Sequence, residues 1–200
     1  MAANLLLSTA YLPPVEYFSL IRNTGRIIIE LEESYIKQTY RNRCMILASE
    51  GPIRLTVPVM KDGRKDAPVR DVTIDYSKRW QQVHLRAMAS SYNSSPYFQF
   101  YFERIESCIL KNQKFLIDLN SELLLVCLEM LKLERKVSFT ERYEPDTDGD
   151  NDYRYRITPK INSGLYFKPY PQVFNRDGFI PGLSIADLIF NMGPDSADCL

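Results

Sequence analysis

A lone histidine, a lone tryptophan and a short cationic run have the residue types and spacing to do chemistry in this sequence. His84 is the only histidine, so any proton transfer through an imidazole must use it. Its unperturbed titration near pH 6.5 suits a general acid or base. Trp80 lies one helical turn earlier on the same face, where an indole can pack on a sugar or a base. The competing reading is a hydrogen-bonded histidine against the core, beside a tryptophan that fills space.

Lys37–Arg43 (KQTYRNR) brings three cations together with Gln38, Tyr40 and Asn42. If this segment is extended, Arg41 and Arg43 point to one side and Tyr40 and Asn42 to the other. Two guanidinium forks on one side match a diphosphate, or a phosphate plus a carboxylate. The competing reading is a strand edge whose charge discourages aggregation. Tyr11 and Tyr17 flank Pro13-Pro14 in TAYLPPVEY, where a first strand meets a first helix. Ligands of open α/β sheets bind outside the carboxyl ends of strands, and two phenols there can stack or hydrogen-bond. Neither G-x-G-x-x-G nor G-K-[ST] is present, so no dinucleotide fingerprint or phosphate loop is expected. One histidine and four scattered cysteines without C-x-x-C predict no metal site and no cofactor. Asp146-x-Asp148-Gly149-Asp150-x-Asp152 imitates a calcium loop, but its glycine comes too early and Ile157 stands where a glutamate is needed.

Periodicity then predicts the scaffold. Asn4–Tyr11 reads as a buried strand, Val15–Arg22 as a helix closed by Gly25, and Arg26–Leu31 as a β-branched strand, a βαβ start with parallel strands. Arg43–Ser49 and Pro52–Val59 alternate on either side of Glu50-Gly51 and predict a hairpin. Met60–Ala67 is a polar loop, and Arg70–Tyr76 alternates as a half-exposed strand. Three helices follow: Lys78–Tyr92 capped by Ser77, one opened by Ser95 and Pro96, and Ser121–Leu133. Val137–Arg142 reads as a strand, Glu144–Asp152 as a loop, and Tyr153–Pro181 as extended chain. Ser184 caps a last helix, Ile185–Asn191, which Gly193-Pro194 ends. The fold class is α/β: a βαβ start, a mixed sheet incorporating the hairpin, three following helices and an irregular C-terminal wrap. The chain of 200 residues is expected to form one domain, with a compact core at 1–143 and an extended wrap at 144–200.

Composition bounds the function. Hydrophobic residues make up 45% and charged residues 25%, too apolar for a disordered chain. The longest apolar run, Leu123–Leu128, is far short of the ~18–20 residues of a membrane span. Leu5–Leu7 lacks the charged region of a signal peptide, so a soluble cytoplasmic protein is expected, with reduced core thiols. The formal net charge is zero, which argues against nucleic acid as a partner. The local excess between Lys37 and Arg86, 11 basic against 5 acidic residues, suits a small anion instead. The aromatic C-terminal segment offers a surface for a homodimer.

Several co-linear motifs then resemble one family. Tyr11-Leu12-Pro13-Pro14-x-x-Tyr17-Phe18, Gln38-Thr39-Tyr40-Arg41-Asn42-Arg43, Leu55-Thr56-Val57-Pro58-Val59, Trp80-x-x-x-His84 and Tyr92-x-x-Ser95-Pro96-Tyr97-Phe98 look like the WbqC-like proteins. The closing Leu183-Ser184-Ile185-x-Asp187-Leu188-Ile189-Phe190-Asn191-x-Gly193-Pro194 looks like the tail of its Bacteroidetes members. One departure is Thr9-Ala10, where many members carry Gln-Pro. The family's members occur in gene clusters for O-antigen and other surface polysaccharides, and some are labelled aminoacyl transferases. The resemblance therefore implies acyl or aminoacyl transfer to a nucleotide-linked amino sugar, or a non-catalytic binding or assembly role in the same biosynthesis. In the first case Arg41 and Arg43, with Lys37, Tyr40 and Asn42 beside them, would hold phosphates. Tyr11, Tyr17 and Trp80 would contact the sugar or base, and His84 would take a proton from the attacking amine. The implied partner is a nucleotide sugar or another phosphorylated small molecule.

Overall fold

The computed structural model describes residues 4–60, 67–145, 151–160, 164–165, 167–174 and 178–200. Strand β1 (Asn4–Ser8) buries Leu5 and Leu7 and leaves Leu6 partly covered on its other face, the period-2 signature of a strand with one packed side. Helix α1 (Val15–Arg22) starts directly after Pro14 and closes on Asn23, two residues before the expected Gly25. Strand β2 (Arg26–Glu30) repeats the pattern with Ile27 and Ile29 inward and pairs parallel to β1 from Asn4↔Arg26 to Ser8↔Glu30. The βαβ start is therefore present. Between strand and helix, Leu12 is fully buried at φ 42°, a left-handed conformation that costs a non-glycine residue about 1–2 kcal/mol. The C-terminal segment holds it there: Ser184 Oγ donates to the Leu12 carbonyl at 2.9 Å, and the Ile185 amide donates to the Pro13 carbonyl at 2.8 Å.

Strands β3 (Arg43–Ala48) and β4 (Gly51–Thr56) form the expected hairpin, with Gly51 at φ 115° in the turn. The hairpin stands as a two-stranded sheet of its own beside the parallel one. The segment expected as a strand at 70–76 opens instead in a 3-10 turn, Val69–Asp71, and the residues after it join no ladder. They make single bridges, Val59↔Ile74 and Thr73↔Phe115, and the prolines at 58 and 68 cannot donate. Helix α2 (Trp80–Tyr92) begins two residues later than expected, because the Ser77 amide binds Asp75 Oδ1 and Ser77 caps nothing. Helix α3 (Phe98–Leu110) likewise begins after a turn in which the Ser95 amide donates to the Tyr92 carbonyl. Helix α4 (Leu116–Met130) starts five residues before the expected Ser121, drawn back by burial of Leu116, Ile117 and Leu119. Strand β5 (Lys136–Phe139) pairs parallel to β2, giving the order β1-β2-β5.

Helix α5 (Ile185–Met192) is capped by Ser184, as expected, and is buried all round from Ile185 to Asn191. A helix covered on every side lies inside the core, and α5 packs on α1, α3, α4 and β3. All four cysteines are free and buried. Among the described residues no helix is long and apolar enough to cross a membrane. The expected loops at 60–67 and 144–152 lie largely outside the described residues, as does the calcium-like run.

Gly193, just past α5, adopts φ 53°, and a Cβ built there would sit 2.4 Å from the Tyr97 ring. Gly193→Ala is expected to destabilise the protein by roughly 1–3 kcal/mol through overpacking. Tyr97→Ala in the same chain should recover part of that loss. Urea denaturation of the two single variants and the double variant measures the coupling, and strict additivity would contradict it.

Candidate functional site

The carboxyl ends of β1 and β2 carry Ser8, Thr9 and Tyr11 on one strand and Glu30 and Glu33 on and after the other. All five are buried. Glu33 holds Arg41 by two bonds, from Nε at 2.9 Å and Nη2 at 2.5 Å. The same Nη2 donates to Ser8 Oγ at 2.8 Å, and Ser8 Oγ donates to the Arg154 carbonyl at 2.7 Å. Arg154, whose side chain is fully buried, donates to Glu30 at 2.9 Å and to Asp152 at 2.6 Å. Glu30 is completed by the Thr140 hydroxyl at 2.7 Å and the Glu32 amide at 2.9 Å. A backbone bridge, Leu6↔Asp152, lays residues 151–153 along β1 and so brings Asp152 and Arg154 over the sheet. Arg154 also stacks on the rings of Tyr143 and Tyr155.

The residues singled out in the sequence divide into three groups. Tyr11, Trp80 and His84 meet. The Tyr11 hydroxyl lies 2.9 Å from His84 Nδ1, and Trp80 packs edge-on against the imidazole with centroids 5.1 Å apart. His84 is buried, and burial pushes its pKa down to about 4 against an opposing hydrogen bond to the Thr56 backbone. The ring is therefore neutral at neutral pH, with Nδ1 hydrogen-bonded to the Tyr11 hydroxyl. Its neighbours are aromatic and polar, which makes it a tie between β1, α2 and the hairpin. Asn42 lies near, donating to the Val57 carbonyl at 2.8 Å while its Oδ1 has no partner among the described residues.

Tyr17, Tyr40 and Arg41 form the second group. Tyr17 donates to the Ser8 carbonyl at 2.9 Å, and the three line a void of only about 10 Å³, room for about one water and not for a sugar. The third group is dispersed. Lys37 is exposed, and Arg43 opens β3 with Nε unpartnered among the described residues. The expectation that Arg41 and Arg43 share one side of an extended strand fails, because Tyr40–Asn42 is a 3-10 turn. That turn rotates Arg41 into the interior, where Glu33 and Ser8 take its donors.

An opening large enough for a small molecule lies elsewhere, on the face of the parallel sheet that carries Leu6 and Ile28. It is a groove of about 760 Å³, within the usual ligand range. Leu6 and Ile28 floor it, Phe139 stands at its edge, and Glu30, Asp152 and Arg154 wall it. Sequence reasoning missed this face. A signal existed in Glu30 and Glu33, carboxylates placed where a buried strand ends. Nothing local announces Arg154, which reaches Glu30 across 124 positions of chain. Among the described residues no cluster of His, Cys, Asp and Glu is placed to hold a metal ion.

Comparison with known proteins agrees with the motifs. Residues 9–169 match the model of the WbqC-like protein family. A Mycobacterium tuberculosis (strain ATCC 25618 / H37Rv) protein, named as the uncharacterized protein Rv1507c, is 25% identical over 225 aligned positions, covering 98% of this chain and 96% of the relative. No solved structure matches the chain.

Two outcomes test the buried polar groups. Below pH 6.5 the unfolded chain protonates its histidine while folded His84, at about 4, does not. The stabilisation from neutral His84 is thus complete above about pH 6.5 and drains away towards pH 4, by about 3 kcal/mol at most. Denaturation of wild type and His84→Gln between pH 7 and pH 4.5 should show the wild type losing more. Parallel profiles would contradict the assignment. Arg154→Met leaves buried carboxylates without their cation and is expected to cost about 3–5 kcal/mol. Adding Glu30→Gln should return part of it in the same measurement.

Proposed function

Starting from the chain's membership of the WbqC-like protein family, we propose that it binds a carbohydrate in the open-face groove and serves surface-polysaccharide biosynthesis as a binding or assembly protein. The groove carries this reading. Its floor is apolar, its walls hold hydrogen-bonding groups in fixed positions, and Phe139 at its edge is 45% exposed. A sugar ring presents the complement, an apolar face bounded by hydroxyls, and a site of this volume encloses one or two such rings.

The walls are also preorganised. The Arg154–Glu30–Asp152 arrangement is held by Thr140, by the Glu32 amide and by the tyrosine rings above it. This buried layer fixes the wall from behind, so the surface a ligand meets needs little reordering, which is where binding free energy is usually lost.

Acyl or aminoacyl transfer to a nucleotide-linked amino sugar, with His84 as base, draws less support. A pKa of about 4 is far below the near-neutral value that serves a general base at pH 7. Tyr11 already occupies the imidazole Nδ1. Arg41, expected on the phosphates, is engaged by Glu33 and Ser8.

Calorimetry with a panel of monosaccharides and nucleotide sugars tests the proposal. Sugar binding without product is expected. Phe139→Ala should weaken it about two- to tenfold, the range of an aromatic contact, with an unchanged melting temperature. Turnover of a nucleotide sugar, or binding indifferent to Phe139→Ala, would overturn the proposal.

A further inference from the structure

The charge balance of the groove narrows its ligand. Four carboxylates line it, from Glu30, Glu141, Glu144 and Asp152, against two guanidinium groups, from Arg142 and Arg154. The chain as a whole has a formal net charge of zero, so this excess is local. Both cations are already committed. Arg154 is shared between Glu30 and Asp152, and Arg142 pairs with Glu144 at 2.8 Å. A phosphate entering here finds no guanidinium without a carboxylate on it and meets the field of the remaining acids.

An ammonium group finds the reverse. It carries three donors and no acceptor. Glu141 is exposed at the rim and makes no ion pair among the described residues. The partly exposed Phe139 ring at the edge of the groove offers the negative face that attracts a cation. Leu6 and Ile28 beneath leave room for the apolar side of the ring that carries the amine.

Resting on the carbohydrate reading of this groove, we infer that it selects a sugar bearing a free primary amine over the N-acetylated sugar, and over any sugar carried on a diphosphate. The cation is recognised by the rim carboxylate and the ring face. The diphosphate is rejected by like charge. The selectivity is electrostatic and declines with added salt.

Calorimetry on the full chain, at a pH where the amine is protonated, can compare glucosamine, N-acetylglucosamine and UDP-N-acetylglucosamine at low and physiological ionic strength. Glucosamine should bind about two- to fivefold tighter than N-acetylglucosamine, the scale of an exposed charge contact. Salt should shrink that ratio, and Glu141→Gln should remove it without moving the melting temperature. The nucleotide-linked sugar should bind weakest. Equal affinity for amine and N-acetyl forms, both dependent on Phe139, overturns this inference and leaves the carbohydrate reading standing. Tighter binding of the nucleotide sugar also overturns it. Absence of binding by every sugar overturns the carbohydrate reading and this inference with it.

Discussion

Arg41 and Arg154 lie inside this protein, and the carboxyl end of the parallel sheet is organised around keeping them paired. Removing a guanidinium or a carboxylate from water costs several kcal/mol unless geometry and extra hydrogen bonds offset it. Arg41 meets that condition with Glu33 and Ser8, and Arg154 meets it with Glu30 and Asp152. The requirement propagates outward. Glu30 needs Thr140 and the Glu32 amide, so the end of β5 must lie beside the end of β2. Arg154 needs residues 151–153 against β1, so the chain after β5 must return across the sheet. That return leaves the rest of the sheet face open as a groove.

The same ends of β1 and β2 divide two environments. On one side Tyr11, Trp80 and His84 form a dry aromatic tie whose imidazole is held neutral by burial. On the other side lies an acidic groove with an apolar floor. A buried imidazole bonded to Tyr11 and packed against Trp80 transmits position, because moving it disturbs both neighbours at once. The groove has a different character, with exposed charges at its rim over a fixed, buried layer of paired groups.

The last helix closes the structure. α5 is buried on every side, and its lead-in residues bond the strained Leu12 turn and the hairpin at Met45. The turn that aims Tyr11 at His84 thus depends on residues more than 170 positions away. An L-residue at positive φ persists only where surrounding contacts over-determine it, and this C-terminal docking is what does so.

Period and propensity alone determined the βαβ start, the hairpin, the helices and the capped α5, because alternation and 3.6-residue spacing are properties of neighbours in sequence. The co-linear motifs likewise determined the family, since a motif is read without knowing what it touches. They also singled out Tyr11, Trp80 and His84, which do converge. What only the tertiary structure decided was which charges are free. Arg41 and Arg43 look alike in KQTYRNR, yet a three-residue turn buries one against Glu33 and leaves the other on a strand. Arg154 carried no local signal at all. Whether a charge is exposed, paired or neutralised depends on partners up to 124 residues away, and the energy that chooses among them is desolvation, which exists only once the chain has closed around the group.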